Sequence, residues 1–201
     1  LHLDGRNMKT EFVISIQVID GEKKQFAEYT GSKHCIGVAN GLDALVLGLK
    51  VFDFPADSEV IVPSNTYIAT ILSIVMAGLK PVLVEPRADT YNINPEKIAE
   101  KITAKTVAVM PVHLYGKVCE MDAICTIAEK YNLQIIEDCA QAHGANINGK
   151  QAGTFGQIGA FSFYPTKNLG AIGDAGAVVS KHSHIMKNLR EISQYGWDQI
   201  P

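Results

Sequence analysis

The sequence around Lys167 holds residue types that could form a covalent bond to a carbonyl compound. A predicted strand places Phe161 and Phe163 on one face and Ser162 and Tyr164 on the other, and Lys167 follows it in a loop flanked by glycine. The default role of a lysine is a solvated surface ammonium. A lysine after a buried aromatic strand is instead desolvated, which lowers the pKa of its amine and frees it to form a Schiff base.

The second chemical candidate is the carboxylate of Asp138. An apolar run that starts at Gln134 ends at Glu137 and Asp138, and open α/β sheets bind ligands beyond the carboxyl ends of their strands. An aspartate there could simply cap the next helix. It could instead hold a heteroaromatic nitrogen protonated, because an opposite charge within ~4–6 Å favours the charged form.

The third candidate is the turn at Asn40 and Gly41. A short apolar run from Ile36 leads into this turn, and a helical pattern begins immediately after it. Free backbone N–H groups and the positive end of the helix dipole would make the turn a phosphate cradle. An ordinary strand–turn–helix junction explains the same pattern.

A phosphate cradle, an acid for a ring nitrogen and an imine-forming lysine are together the groups that pyridoxal 5′-phosphate (PLP) requires. Other signatures are absent from the sequence: G-x-G-x-x-G, G-x-x-x-x-G-K-[ST], H-E-x-x-H and G-x-S-x-G. Their absence disfavours a nicotinamide dehydrogenase, a P-loop enzyme, a zinc protease and an α/β-hydrolase.

Composition narrows the class of protein. The 201 residues are 47% hydrophobic and 19% charged, which is enough apolar material for a substantial core. A net charge of −3 does not favour nucleic acid or an anionic membrane as the partner, and no apolar run approaches the ~20 residues of a membrane span. The 4 cysteines lack zinc-ligand spacing, and free thiols indicate a reducing cytoplasm. No metal site is expected.

Short apolar runs alternate with amphipathic helical patterns from about residue 33 onward. This order predicts an α/β fold with a mostly parallel (mixed) sheet and helices on both faces. Asn94 followed by Pro95 predicts one helix start, and Asp122 predicts another. The predicted strands are Glu59–Val62, Pro81–Glu85, Thr106–Val112, Gln134–Glu137, Ile158–Tyr164 and Ala177–Ser180.

Four segments resemble one family closely: VPSNTYIAT (62–70), PVHLYG (111–116), EDCAQAHG (137–144) and FSFYPTKNLGAIGDAGA (161–177). They are similar to motifs of the DegT/DnrJ/EryC1/StrS sugar aminotransferases, which are fold-type-I PLP enzymes. The resemblance runs from about residue 26 to residue 196. It implies that residues 26–201 are the PLP-binding large domain, truncated before the family's smaller C-terminal domain, and that residues 1–25 are an irregular segment atypical of the family.

The resemblance also implies roles for individual residues. Lys167 would be the catalytic lysine that binds PLP and shuttles protons, Asp138 would pair with the pyridinium nitrogen, and Gln141 would bind the phenolic oxygen. Tyr67 would stack on the ring. The phosphate would be held by Ser162, Gly41 and Leu42. The family often has Ser-Gly-Thr in the cradle, whereas this chain has Asn-Gly-Leu at 40–42, so the backbone must contribute more of the contacts.

Three further residues are candidates for the substrate pocket: His113, His143 and Tyr164. For His113 the alternative is a hydrogen-bonded structural histidine. His143 follows Gln141 by two residues and could orient cofactor or substrate. Asp174 is expected to hold a turn in its glycine-rich segment.

The resemblance implies a homodimeric cytoplasmic transaminase of deoxyamino sugar biosynthesis, which supplies lipopolysaccharide or another surface polysaccharide. It would aminate a keto group of a nucleotide-linked hexose, with dTDP-3-keto-6-deoxyhexose as the substrate and glutamate as the amino donor. A 4-keto or UDP-linked sugar remains an alternative substrate. A non-catalytic nucleotide-sugar-binding α/β domain remains the alternative from another class.

Overall fold

The computed structural model describes residues 20–194, with side chains described from residue 24 onward. The helices are α1 (Asp20–Thr30), α2 (Gly41–Lys50), α3 (Ile68–Met76), α4 (Pro95–Lys101), α5 (Met121–Tyr131) and α6 (Ser183–Ser193). The strands are β1 (His34–Val38), β2 (Glu59–Pro63), β3 (Lys80–Val84), β4 (Thr106–Val109), β5 (Gln134–Asp138), β6 (Asn146–Ile147), β7 (Lys150–Gln151), β8 (Ile158–Ser162) and β9 (Gly176–Ser180). A 3₁₀ turn covers Leu114–Gly116.

A 7-stranded sheet with the order β1-β9-β8-β5-β4-β2-β3 forms the centre of the described part of the chain. Strand β9 runs antiparallel to both of its neighbours, and the other adjacent pairs are parallel. The mostly parallel, mixed sheet expected from the sequence is therefore confirmed. Because most strands point the same way, their carboxyl ends meet at one edge of the sheet, where ligands of such folds bind.

Both faces of the sheet are covered, because the buried strands carry apolar residues on each side. On one face Val60 and Val62 of β2 pack in a cluster with residues of α2, α3 and α6. On the other face Ile61 packs with residues of α4 and α5, and α1 covers β8 and β9 with Phe26 against Phe161. The expected helices on both faces are confirmed.

Helix and strand ends differ from the sequence expectations in several places. Asn94 caps α4 through its Oδ1, which accepts the Glu96 N–H at 3.0 Å, as expected. Asp122 is not the cap of α5, because the helix already begins at Met121 and Asp122 lies in its first turn. The strands predicted to reach Val112 and Tyr164 end at Val109 and Ser162.

The segment 1–25 was expected to be irregular, and this expectation is wrong for its last residues because α1 begins at Asp20. Residues 1–19 lie outside the described part of the chain. Within that part, no helix combines the length and the apolar character needed to cross a bilayer.

Candidate active site

A cavity of about 490 Å³ lies at the carboxyl edge of the sheet, beside the N-termini of α2 and α3. It brings together most of the residues singled out in the sequence, although they come from four separate segments. The expected site residues that line it are Gly41, Leu42, Tyr67, Asp138, Gln141, Ser162, Tyr164 and Lys167.

The N-terminus of α2 forms one wall of the cavity and could hold an anion. Asn40 caps this helix, and its Oδ1 accepts the Asp43 N–H at 2.8 Å. A Cβ at Gly41 would lie 2.6 Å from the Ser162 Cβ, so only glycine lets the helix approach β8 this closely. On the other side a Cβ at Gly176 would overlap the Asn40 carbonyl. The free N–H groups and the hydroxyl of Ser162 therefore meet at the positive end of a helix dipole, which suits a phosphate.

Asp138 is the acid of the cavity and is only 5% exposed. Its Oδ1 accepts the backbone N–H of Ala140 at 3.0 Å, and its Oδ2 accepts the hydroxyl of Thr70 at 2.8 Å. Burial raises the pKa of the Asp138 carboxyl above its usual value, while these two donors and the charge of Lys167 work against the rise. A cation on a bound ring would stabilise the ionised form further.

Gln141 is oriented by the backbone of the 3₁₀ turn. The Tyr115 N–H donates to Gln141 Oε1 at 2.8 Å, and Tyr115 adopts a left-handed conformation with φ of 55°. Among the described residues no group accepts a hydrogen bond from Gln141 Nε2. Because the carbonyl end of the amide is taken, its N–H₂ end is available to donate to an oxygen anion in the cavity.

Lys167 is half-buried on the loop that follows β8. The loop is held by the Lys167 N–H, which donates to the Tyr164 carbonyl at 2.8 Å. The ammonium acts on two neighbours, since burial raises the pKa of Asp138 and the charge of Lys167 opposes that rise, whereas burial lowers the pKa of His143 and the same charge lowers it further. The candidate nucleophile and the candidate ring acid thus share one electrostatic environment.

Two tyrosines offer exposed aromatic rings at the cavity. Tyr67 immediately precedes α3 and is 70% exposed, and Tyr164 is 50% exposed. Rings of this kind could stack on a planar ligand or contact its substrate, and burial of an aromatic ring on a ligand stabilises the complex.

His113 does not line the cavity, contrary to the sequence expectation. It is fully buried, with Nε2 2.9 Å from Glu137 Oε2 and Nδ1 accepting the Cys119 N–H at 3.1 Å. Because Nδ1 accepts the Cys119 N–H, Nε2 carries the proton that His113 donates to Glu137. His113 is therefore a hydrogen-bonded structural histidine. Its side chain points to the face of the sheet opposite Asp138.

The side chains of His113, Glu137 and Cys139 place possible metal ligands within 4.8 Å of one another. Their lone pairs are already used. The oxygens of Glu137 accept the N–H groups of Gly153, Phe155 and Gly156 as well as that of His113. Because both nitrogens of His113 are also engaged, this cluster is a hydrogen-bond network that holds the loops rather than a metal centre.

His143 also lies outside the cavity lining. Its ring packs 5.4 Å from that of Phe161 and 5.3 Å from that of Phe163, on the face of β8 opposite Ser162. Neither ring nitrogen has a hydrogen-bond partner in the described structure. Burial, followed by the charge of Lys167, lowers the pKa of His143 to about 4. The ring is consequently neutral near pH 7.

Some residues of the site were not found in the sequence. Thr66 and Thr70 line the cavity, and Thr70 contacts the acid directly. Asp174 also lines it rather than serving only as a turn residue. The one available signal for the threonines was their place in a matched motif, because hydroxyl side chains near a helix start usually serve as caps.

The groups that line the cavity match those that PLP requires. The glycine-dependent cradle could hold a phosphate dianion, the buried carboxylate could pair with a ring nitrogen, the amide N–H₂ is free for a phenolic oxygen, and an amine lies beside them. These are the groups that bind and tune this cofactor.

Comparison with known proteins gives consistent matches. Residues 8–200 match the model of the DegT/DnrJ/EryC1/StrS aminotransferase family. The chain is 56% identical over 185 residues to the dTDP-3-amino-3,6-dideoxy-alpha-D-galactopyranose transaminase of Aneurinibacillus thermoaerophilus, which is 92% of this chain and 51% of that protein.

Solved structures agree with the sequence matches. The structure of Streptomyces venezuelae DesV in complex with a ketimine intermediate matches with a TM-score of 0.87 and 44% identity, covering 90% of this chain and 48% of that one. Bacillus subtilis NtdA with bound cofactor PMP matches with a TM-score of 0.84 and 35% identity, covering 89% of this chain and 40% of that one. The chain spans about half the length of the curated relatives it matches.

Proposed function

This chain belongs to the DegT/DnrJ/EryC1/StrS aminotransferase family, and we propose that it binds PLP and transfers an amino group to a keto carbon of a nucleotide-linked hexose. The observation that carries the proposal is the convergence of Lys167, Asp138, Gln141 and the Gly41 cradle on one cavity. The described fold, with its mixed sheet and flanking helices, supports assigning residues 26–201 to a PLP-binding large domain.

Bound PLP supplies an aldehyde that reacts with amines and a ring that takes up negative charge from the reacting carbon. Lys167 would hold the cofactor through its Nζ and would carry a proton between the reacting carbons. Asp138 would keep a proton on the ring nitrogen by its negative charge, which would make the ring the stronger electron acceptor. Gln141 would donate to the phenolic oxygen through Nε2, while Ser162 and the N–H groups of Gly41 and Leu42 would bind the phosphate.

The substrate we favour is a dTDP-linked 3-keto-6-deoxyhexose, with glutamate as the amino donor. The name of the A. thermoaerophilus relative supports this choice, because it is a dTDP-3-amino-3,6-dideoxyhexose transaminase at 56% identity. A UDP-linked 3-keto sugar has weaker support from a 44% identical relative of Acidithiobacillus ferrooxidans. The reaction belongs to deoxyamino sugar biosynthesis for surface polysaccharide, in the cytoplasm.

The active protein is a homodimer in this proposal. Helix α3 exposes an apolar face next to the cavity, made of Ile68, Leu72, Val75 and Met76. Such a contiguous apolar face is unusual on an isolated monomer and is typical of a protein interface. Because Tyr67 immediately precedes this face, a second copy docked on α3 would also close one side of the cavity.

A binding and transfer experiment tests the function. We expect PLP to give a visible absorption band with the wild-type protein and no such band with Lys167→Ala, whereas Lys181→Ala, an exposed lysine outside the cavity, behaves like wild type. We then expect amino transfer from glutamate to the dTDP-3-keto sugar, and less to 4-keto or UDP-linked sugars. Sugar-nucleotide binding without a band or transfer would favour the non-catalytic binding domain.

A further inference from the structure

Two hydrogen-bond donors from different segments of the chain hold the carboxylate of Asp138. Ala140 donates its N–H to Oδ1, and Thr70 donates its hydroxyl to Oδ2 at 2.8 Å. Thr70 is 1% exposed, so bulk water does not compete for this hydroxyl. Since each carboxylate oxygen can accept two hydrogen bonds, both oxygens keep one lone pair for a group in the cavity.

A second hydroxyl, that of Thr66, forms a hydrogen bond with Thr70, and the donor in each bond can be assigned. Thr66 Oγ1 lies 2.7 Å from Thr70 Oγ1. An ionised carboxylate only accepts, so the Thr70 proton points at Asp138 and Thr66 must donate to Thr70. Successive hydrogen bonds of the same sense polarise one another, and Thr66 therefore strengthens the donor that Thr70 presents to Asp138.

The backbone of α3 holds Thr70 in place. The Thr70 N–H donates to the Tyr67 carbonyl at 3.0 Å, and Ser73 Oγ donates to the Thr70 carbonyl at 2.7 Å. With both backbone groups bonded, the side chain projects from a fixed point of the helix. The same helical turn thus carries the candidate stacking ring, Tyr67, and the hydroxyl that contacts the acid.

The charge state of Asp138 depends on these donors. Burial raises the pKa of its carboxyl, and the hydroxyl of Thr70 is one of the groups that oppose the rise. A hydrogen bond to the ionised form favours that form. A protonated Asp138 would carry no charge and could not hold a proton on a ring nitrogen.

We propose that Thr70 is a positioning residue for amino transfer, which, supported by Thr66, keeps Asp138 ionised and aimed at the ring nitrogen of PLP. The inference rests on the proposed function, because it requires PLP in this cavity. Thr70 acts on the ring through Asp138, whereas the cradle and Lys167 act on other parts of the cofactor.

The test compares Thr70→Val with Thr70→Ser in the PLP-loaded protein. Nitrogen NMR of PLP labelled with ¹⁵N in the ring reports directly whether that nitrogen is protonated. Without the Thr70 hydroxyl, Asp138 is more easily protonated and becomes a weaker partner for the ring nitrogen, so we expect Thr70→Val to lose up to about tenfold in PLP affinity. We expect its ring signal to move toward the deprotonated position, and we expect Thr70→Ser to keep the wild-type signal.

Thr30→Val is the matched control, because Thr30 is 2% exposed in α1 and its hydroxyl donates to the Phe26 carbonyl at 3.0 Å, outside the cavity. It should keep the wild-type ring signal. If Thr70→Val does not fold, Thr66→Val takes its place, with a smaller shift in the same direction. A wild-type ring signal and wild-type PLP affinity in the folded valine variant would overturn the inference.

Failure of the inference differs from failure of the proposed function. If the wild-type protein does not bind PLP at all, the proposed function is wrong. If wild type binds PLP with a protonated ring and both valine variants do the same, only the role of Thr70 is wrong.

Discussion

Glu137 and Asp138 are consecutive in β5, yet their carboxylates lie on opposite faces of the sheet and have different environments. Glu137 is fully buried and accepts hydrogen bonds from His113 and from the backbone of residues 153–156. Asp138 faces the cavity and contacts Thr70. Because strand side chains alternate, one residue can hold the fold while its neighbour serves the site.

The first prediction concerns Glu137→Gln. The new amide N–H₂ would face backbone N–H donors, which leaves buried donors without acceptors. We expect the free energy of unfolding to fall by about 3 kcal/mol or more. Urea denaturation measures this change. Glu129→Gln, an exposed site on α5, is the control and should change stability by less than about 0.5 kcal/mol; equal effects at the two sites would refute the structural role of Glu137.

The second prediction concerns Asp138→Asn. The amide keeps the size of the side chain; its oxygen can still accept the Ala140 N–H while its N–H₂ donates to the Thr70 hydroxyl, but it carries no charge for a ring cation. We expect PLP still to bind, and the amino-transfer step to slow by about 100-fold or more. Single-turnover kinetics measures that step. A wild-type rate in the asparagine variant would rule out the electronic role of Asp138.

The third prediction concerns Gly41→Ala. Alanine normally stabilises a helix relative to glycine by about 1 kcal/mol. Here the added Cβ would lie 2.6 Å from the Ser162 Cβ, so we expect lower stability and weaker PLP binding, measured by thermal unfolding and PLP titration. Gly173→Ala is the control, because a Cβ there meets nothing within 4 Å; it should match wild type in both measurements.

The fourth prediction is a pH dependence carried by His143. In the unfolded chain this ring binds a proton below about pH 6.5, whereas in the folded protein it does so only near a pKa of about 4. The unfolded state thus gains protons first, and stability falls as the pH drops through this window, by up to about 3 kcal/mol. The stability that the neutral ring contributes is therefore lost when the pH falls, not when it rises.

Stability curves of wild type and His143→Leu between pH 7 and pH 4 measure this effect. We expect the leucine variant to lose less stability than wild type over that range. His184→Leu, at an exposed position of α6, should follow the wild-type curve. Parallel curves for wild type and His143→Leu would mean that the His143 ring has the same pKa in the folded and unfolded protein, which would contradict the prediction.

The sequence predicted most strands of the main sheet and most of the residues that line the cavity, because each follows a strong local pattern. Ser162 and Asp138 stand at the ends of apolar runs, and the ends of parallel strands meet at one edge. Helix α3 was not predicted, because Ile68–Met76 is apolar on its exposed face as well as its buried one, which removes the helical periodicity.

The errors come from contacts between distant segments. His113 follows a strand just as Asp138 does, and nothing local shows that its ring turns toward Glu137. Thr70 was missed for the same reason, since its partner lies 68 residues away. The direction of a side chain that follows a strand depends on which neighbouring loops offer hydrogen-bond partners. The spacing of residues in the sequence does not contain that information.

The central claim is that Lys167 carries PLP beside Asp138 in this cavity. Borohydride reduction of the PLP-loaded protein, followed by proteolysis and mass spectrometry, fixes the cofactor to its lysine and maps it directly. We predict a single pyridoxyl-modified peptide, with the modification on Lys167. Modification of a different lysine, or a PLP-treated protein with no modified peptide, would contradict the account.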